Sequence, residues 1–154
     1  GNLPYNISTP LIFHLLDHQS LIKDMHFMLQ LEVVQRMSAQ PRGRNYDRLG
    51  IMCQYCCQVE MLFEVPPESF DPQPKVQSAI VRLTPYQTLP HPAKDISKLD
   101  TILRTCFNMR RKTLRNSLKQ FFIEADIEAL GIDPTARPET LTLEEFIRPS
   151  NAIS

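Results

Sequence analysis

The first 85 residues alternate between short apolar runs and segments of helical spacing. Apolar runs rich in β-branched and aromatic residues predict strands over 25–31, 59–65 and 76–83. Apolar positions three or four residues apart predict helices over 32–39 and 47–57. Such an alternation of strands and helices is typical of an α/β domain.

The connections in this part of the chain carry their own signals. Pro66–Pro74 is too rich in proline for a helix or a central strand, so it predicts a stiff loop. The two strands that it joins are expected to form an antiparallel pair at a sheet edge. Ser8, Thr9 and Pro10 precede an apolar run and form a helix-start signal. Asn2–Tyr5 is therefore predicted to lie in a loop that enters a helix, with a strand upstream of the chain.

After a proline-rich linker, 85–92, the apolar positions recur only at helical spacing. Helices are predicted over 97–109, 113–122, 125–130 and from 143 onwards. Gly131 predicts the end of the third helix, and Thr142 predicts the N-cap of the fourth. We therefore expect an α/β piece, 1–85, and a small helical domain, 86–154.

The distribution of charge is uneven, although 17 basic and 17 acidic residues balance overall. The segment 101–123, called the basic window below, contains no Asp or Glu. Its cations are Arg104, Arg110, Arg111, Lys112, Arg115 and Lys119. A charge run is usually a solvated face, but a long acid-free segment favours contact with RNA phosphates.

Other cations give weaker signals. Lys75 follows the proline-rich loop and is either a surface cation or a phosphate contact. Arg42, Arg44 and Arg48 surround a turn, Pro41–Asn45, where a solvated loop is the favoured interpretation. The four histidines are scattered and show no spacing typical of metal ligands.

The four cysteines are Cys53, Cys56, Cys57 and Cys106. Cys53 and Cys56 form a C-x-x-C, but a zinc site requires a second ligand pair that the sequence does not contain. Three of them fall in an apolar stretch, which predicts small buried side chains in a reducing cytoplasm. No apolar run of about 18 residues occurs, so no membrane span is predicted.

The tetrapeptide Asn2-Leu3-Pro4-Tyr5 suits methylation of the exocyclic amine of adenine. The nitrogen lone pair of this amine is delocalised into the ring, so a site must localise it by accepting hydrogen bonds from the amine. An asparagine side-chain oxygen and the following backbone carbonyl supply two acceptors, and proline fixes the backbone. Tyrosine provides a face on which an extruded base can stack.

Three ordered motifs resemble the ribosomal RNA adenine dimethyltransferases, most closely the bacterial members that modify the small-subunit RNA. The first is Asn2–Ser8, which is similar to the catalytic loop of the family. The second is Phe70–Ala79, which resembles its F-x-P-x-P-K-V-x-S loop. The third is Phe107–Thr113, which resembles the F-x-x-R-R-K-T segment of its helical domain.

The resemblance implies the C-terminal half of a Rossmann-like methyltransferase sheet followed by an RNA-binding helical domain. The implied activity is dimethylation of two adjacent adenines in small-subunit ribosomal RNA during ribosome biogenesis, with S-adenosylmethionine as methyl donor. The implied partner is ribosomal RNA in the pre-30S particle. We expect the glycine-rich cofactor loop to lie upstream, so that this chain lacks most of the cofactor site.

The resemblance also implies individual residue roles. Asn2, Leu3, Pro4 and Tyr5 match positions that hold the target amine and base, and Asn2 also lines the cofactor pocket. Phe70 matches a residue that sandwiches the base against Tyr5. Lys75 and the basic window, above all Arg110, Arg111, Lys112, Arg115 and Lys119, are the predicted RNA contacts.

Two other functions compete with this interpretation. One is a large-subunit ribosomal RNA adenine methyltransferase of the antibiotic-resistance type, which the Arg110-Arg111-Lys112 segment fits less well. The other is a non-catalytic RNA-binding or ribosome-assembly module, which the intact Asn2–Tyr5 loop disfavours.

Overall fold

The computed structural model describes His14 and residues 23–73, 75–108 and 111–153. Packing divides the chain into two compact units. The first, called the sheet unit, comprises Gly1–Ala39 and Leu49–Leu89. The second, called the helical unit, comprises Gln40–Arg48 and Pro90–Ser154. The segment Gln40–Arg48 thus packs with helices that follow it by some fifty residues or more in the sequence.

Three strands form the sheet of the sheet unit: β1 (Met25–Gln30), β2 (Cys57–Val65) and β3 (Ser78–Pro85). Their order is β1-β3-β2, and both pairs are antiparallel. Among the described strands, β2 therefore lies at an edge, with a register shift between Met61 and Phe63. The predicted strands and the predicted antiparallel pair are confirmed.

Helix α1 (Leu31–Met37) packs against all three strands, and α2 (Arg48–Cys56) packs against α1 through Gly50. Alternate residues of β1 and β3 are buried, as expected for strands with one face on a core. The apolar face of α1 joins that core with Val33, Val34 and Met37. A short 3-10 turn, Pro67–Ser69, begins the predicted stiff loop between β2 and β3.

The helical unit contains four α-helices and a 3-10 turn in the described residues. They are α3 (Ile96–Phe107), α4 (Leu114–Ser117), α5 (Glu124–Ala129), the turn Pro138–Thr140 and α6 (Leu143–Ala152). The core combines Leu99, Ile102, Leu103 and Cys106 of α3 with Phe146 and Ile147 of α6. The α3 set recurs at helical spacing, which is why the sequence predicted this helix.

The caps of these helices follow the sequence closely. Thr142 Oγ1 accepts a hydrogen bond from Glu145 N at 3.2 Å, and Glu145 Oε1 accepts one from Thr142 N at 3.0 Å. This reciprocal pair is a capping box, which confirms the predicted N-cap. Gly131 has a φ of 78°, as expected for a glycine just beyond a helix end.

The helix predicted over 113–122 is wrong in length, because only Leu114–Ser117 is helical. Leu114 and Leu118 are buried and Phe122 is largely so, which reproduces the apolar spacing of four. However, the backbone N–H groups of Leu114 and Arg115 donate to the carbonyls of Ala136 and Pro134 at 2.9 Å. Contacts with a distant segment thus fix this region, and turns after Leu118 bring Phe122 inward.

Candidate functional site

The predicted site residues divide into those that the structure describes and those that it does not. Asn2, Leu3, Pro4, Tyr5 and Arg110 lie outside the described residues. Phe70, Lys75, Arg111, Lys112, Arg115 and Lys119 are described. The site can therefore be built only from the Phe70 loop and the basic window, and the target-amine assignments stay predictions.

Phe70 lies immediately after the 3-10 turn between β2 and β3. Its backbone N–H donates to the carbonyl of Pro67 at 3.1 Å, and Ser69 N donates to Pro66 O at 3.1 Å. Phe70 is half-buried and is absent from the core of the sheet unit. An aromatic ring held in this way by a proline-fixed loop keeps part of its surface accessible, which is what stacking against a base requires.

The far end of the same loop is also tied down. Gln77 Nε2 donates to Glu64 Oε2 at 3.1 Å, and Gln77 O accepts from Leu31 N at 2.8 Å. Asp71 and Pro72 are joined by a cis peptide bond. Lys75 is exposed between these fixed points. The loop is thus anchored to β2 and to the start of α1.

The basic window is less uniformly positive in space than in sequence. Arg104 Nε lies 2.9 Å from Asp100 Oδ2, and Arg115 Nη1 lies 3.6 Å from Glu124 Oε1. Both carboxylates lie just outside the acid-free segment in the sequence. One helical turn brings Asp100 to Arg104, and the chain that follows α4 brings Glu124 to Arg115. Two of the six cations are therefore partly neutralised.

The other described cations of the basic window have no ion pair with any described residue and are called the open cations below. Arg111, Lys112 and Lys119 are exposed, and no carboxylate of the described residues forms an ion pair with them. Arg111 and Lys112 lie a few residues beyond the C-terminal end of α3. Their position suits phosphate contact, and their role in RNA binding stays a prediction.

Sequence reasoning underestimated Gln40–Arg48, called the arginine loop below. Tyr46 is buried, and its hydroxyl donates to the carbonyl of Leu141 at 2.7 Å. Its ring packs edge-on against Phe107, with centroids 6.3 Å apart. The conspicuous signal was the Pro-Arg-Gly-Arg sequence, but no local pattern indicated that the loop packs with the helical unit.

Arg48 has a structural partner. Its Nε donates to Asp100 Oδ1, and the side chains of both residues are mostly buried. Asp100 also accepts from Arg104, so one carboxylate serves two guanidinium groups. Arg48 is thus an internal ion-pair residue, whereas Arg42 and Arg44 are exposed.

The predicted burial of the cysteines is confirmed, since all four are buried and none forms a disulfide. Burial raises the pKa of the Cys106 thiol to about 12. Burial, together with the neighbouring Cys56, raises the pKa of the Cys57 thiol to about 12. Thiols protonated at neutral pH are poor nucleophiles and metal ligands. Within the described part of the chain, no group of His, Cys, Asp or Glu is arranged to hold a metal ion.

No helix in the described ranges is long and apolar enough to cross a membrane.

Solved structures define the class of protein to which this fold belongs. A dimethyladenosine transferase from Plasmodium falciparum matches with a TM-score of 0.82 and 30% identity, over 99% of this chain and 66% of that one. The 23S ribosomal RNA methyltransferase ErmE matches with a TM-score of 0.71 over 99% of this chain and 63% of its own, and its 22% identity shows the fold alone. The fold is therefore that of a dimethyladenosine transferase and of ErmE, which confirms the predicted fold class.

The family follows from the sequence comparisons. A family profile described as ribosomal RNA adenine dimethylase matches residues 1–154, and the chain belongs to that family. It is 61% identical over 154 residues to the ribosomal RNA small subunit methyltransferase A of Pseudomonas syringae pv. syringae (strain B728a), covering 100% of this chain and 58% of the relative. It is 62% identical over 153 residues to the protein of the same name from Saccharophagus degradans, covering 99% of this chain and 57% of the relative. The predicted family is thus confirmed, and the chain spans somewhat over half the length of these curated relatives.

Proposed function

We propose that the protein containing this chain is an S-adenosylmethionine-dependent ribosomal RNA adenine dimethyltransferase. It modifies the N6 positions of two adjacent adenines in small-subunit ribosomal RNA, in the pre-30S particle, and so contributes to ribosome biogenesis in the cytoplasm. The observation that carries this proposal is the match to the family along all of residues 1–154, together with relatives named for the small-subunit RNA. The likeness to the 23S ribosomal RNA methyltransferase ErmE is 22% identical and gives the large-subunit alternative the fold alone.

The proposed chemistry is alignment of a weak nucleophile with a methyl donor. The Asn2 side-chain oxygen and the backbone carbonyl that follows it accept hydrogen bonds from the adenine amine, which localises its lone pair. Pro4 restricts the backbone, and Leu3 completes the loop. No strong base is required, because the proton leaves only after the nitrogen has become positive. The catalytic gain comes mainly from orientation.

Two aromatic residues hold the base in this scheme. Tyr5 and Phe70 stack on opposite faces of an adenine that has been extruded from its RNA. The anchored loop that carries Phe70 supports this role, since a backbone fixed before the base arrives reduces the entropy lost on stacking.

S-adenosylmethionine supplies the methyl group when bound. Asn2 is the one residue of this chain with a proposed contact to it, and Asn2 lies outside the described residues. The described residues therefore carry no assigned cofactor ligand, and the proposed steps involve only the binding and orientation of the base.

The helical unit provides the proposed RNA docking surface. Its open cations, Arg111, Lys112 and Lys119, contact phosphates with Arg110, while Arg115 shares its charge with Glu124. Lys75 contacts the backbone close to the base-stacking loop. Phosphate contacts of this kind position an enzyme on folded RNA without reading its sequence.

The proposal is tested by two substitutions in an active enzyme of the length of the curated relatives that carries these residues. Asn2→Ala removes an acceptor for the target amine. It should raise the activation free energy of methyl transfer by roughly 3–4 kcal/mol, by analogy with the loss of one oxyanion-hole donor. RNA affinity should remain near wild type. Phe70→Ala should weaken the binding of the extruded base by about 1–3 kcal/mol, because the base loses an aromatic ring to stack on.

Phe63→Ala is the matched control for Phe70→Ala, because Phe63 is 58% exposed on β2 and has no proposed contact with the base. Incorporation of labelled methyl groups into unmethylated small subunits measures the rate, and filter binding measures the RNA affinity. Wild-type rates in Asn2→Ala would show that the loop is structural only. Equal effects of Phe70→Ala and Phe63→Ala on the methylation rate would contradict the stacking role of Phe70.

A further inference from the structure

The arginine loop belongs to the helical unit although residues Leu49–Leu89 separate it from the rest of that unit. Three hydrogen bonds hold it there: the buried Tyr46 hydroxyl on Leu141 O, Arg42 N on Glu139 O at 2.6 Å, and Arg48 Nε on Asp100 Oδ1. The Tyr46 ring also touches Phe107, the last residue of α3. Arg111 and Lys112 come four and five residues after Phe107 in the chain. The fold therefore brings the loop to the end of α3 from which the open cations of the basic window continue.

The backbone of the loop is fixed by its own hydrogen bonds. Gly43 N donates to Gln40 O at 2.9 Å, and Tyr46 N donates to Gly43 O at 3.2 Å. A Cβ atom on Gly43 would lie 2.8 Å from Gln40 O, so the turn is too tight for a larger residue. Two successive turns thus present Arg42 and Arg44 from a rigid frame.

Arg42 has a φ of 71°, in the left-handed region that glycine and asparagine occupy at lower cost. It is the one described non-glycine residue with positive φ. Strain of this kind persists where the surrounding structure enforces it, and it is concentrated at functional sites. Arg42 is the third residue of the Gln40–Gly43 turn, and its backbone N–H donates to Glu139 O, so the turn and this contact enforce the conformation while the side chain stays exposed.

Two arginines of the loop have no ion pair with any described residue. Among the residues that the structure describes, Arg48, Arg82, Arg104, Arg115 and Arg148 form ion pairs with carboxylates. Arg42 and Arg44 are exposed, and neither side chain has a hydrogen bond or ion pair with any described residue. The fold neutralises much of its guanidinium charge but leaves these two groups available.

We propose that Arg42 and Arg44 form a second RNA phosphate-binding surface on the helical unit, beside the basic window. Guanidinium groups bind phosphate oxygens through paired hydrogen bonds, and a rigid loop loses little entropy when it engages a backbone of fixed shape. Contacts of this type fix the orientation of the enzyme on structured RNA. The inference rests on the proposed function, because it presupposes an RNA substrate.

The test uses the same full-length enzyme and a structured fragment of small-subunit ribosomal RNA, with affinities measured from about 0.05 to 0.3 M salt. Each phosphate contact contributes roughly 0.7–0.9 to the slope of log affinity against log salt concentration. The double variant Arg42→Gln/Arg44→Gln should therefore lose about 1.5 units of slope. Arg111→Gln/Lys112→Gln provides the comparison within the basic window.

A second variant separates binding from folding. Arg42→Gly removes the guanidinium and relieves the left-handed strain, so the melting temperature should stay the same or rise while the RNA affinity falls. A fall in melting temperature with unchanged RNA affinity would show that Arg42 is structural and would overturn the proposal.

The charge-matched control is Lys94→Gln/Arg148→Gln. It removes the same charge from the helical unit, but Arg148 is already bonded to Glu144 and Leu130 O. An equal loss of slope in this control would assign the effect to net charge and overturn the proposal. If the wild-type enzyme neither binds nor methylates the RNA, the proposed function fails. If the wild-type enzyme does both, and Arg42→Gln/Arg44→Gln shows the same RNA affinity and salt dependence, only this inference fails.

Discussion

A single hydroxyl group connects distant parts of the helical unit. Tyr46 is buried, and its hydroxyl satisfies the carbonyl of Leu141, 95 residues further along the chain. Buried tyrosines ordinarily require such a partner, because an unpaired hydroxyl in an apolar environment is costly. Burial and the nearby Glu145 raise the pKa of Tyr46 far above its ordinary value, so the hydroxyl remains a donor at neutral pH.

Tyr46→Phe should lower the free energy of unfolding by about 1–2 kcal/mol, since it removes one hydrogen bond and leaves the Leu141 carbonyl unpaired. Urea unfolding followed by circular dichroism measures the change. Tyr86→Phe is the control, because Tyr86 lies only half-buried after β3 and should tolerate the loss. A Tyr46→Phe variant as stable as Tyr86→Phe would show that the hydroxyl does not fasten the arginine loop.

Elements of the sheet unit meet at one very close approach. Gly50 of α2 packs against the backbone of α1, where a Cβ atom would lie 2.1 Å from Arg36 O. Only glycine fits here, because the obstructing atom belongs to a helix backbone and cannot rotate away. The close contact allows α1 and α2 to bury Met37 and Cys53 fully.

Gly50→Ala should destabilise the sheet unit by about 1–3 kcal/mol, the usual cost of overpacking. The sign is diagnostic, since Gly→Ala in an unobstructed helix stabilises by up to about 1 kcal/mol. Gln35→Ala, on the exposed side of α1, is the matched control and should change little. The comparison requires thermal melting of both variants; a stabilised Gly50→Ala would contradict the packing described here.

At the scale of the whole molecule, buried acidic groups link stability to alkaline pH. The folded pKa values of Cys57 and Cys106 are raised to about 12 from 9.0, and the pKa of Tyr46 is raised from 10.0. Folding therefore favours the protonated form of each group. This contribution to stability is fully present below the unfolded pKa values and declines as pH rises towards the folded ones.

The free energy of unfolding should be steady near neutral pH and fall progressively between pH 9 and 12. Urea titrations at several pH values in that range, under reducing conditions, measure the decline. Cys106→Ala should be less stable at neutral pH because of the cavity, but its stability should fall less steeply with pH. A decline of equal steepness in both proteins would mean that Cys106 does not contribute to it.

Local sequence patterns determined much of this protein. The three strands, most of the helices, the Thr142 cap and the end of α5 at Gly131 follow from periodicity and end signals that act within a few residues. The burial of the cysteines follows from their apolar neighbours. The motifs that identified the family are likewise contiguous, and their roles at Asn2–Tyr5, Phe70 and Arg110–Lys112 remain predictions from the sequence.

Tertiary structure decided what depends on distant residues. The first two N–H groups of α4 donate to the carbonyls of Ala136 and Pro134, which fixes the start of this short helix. Asp100 and Glu124 reduce the charge of a window that is acid-free in sequence. The Tyr46 hydroxyl assigns the arginine loop to the helical unit. Periodicity reports only which face of a local element is apolar, whereas these outcomes depend on which hydrogen-bonding and charged groups meet after the chain has folded.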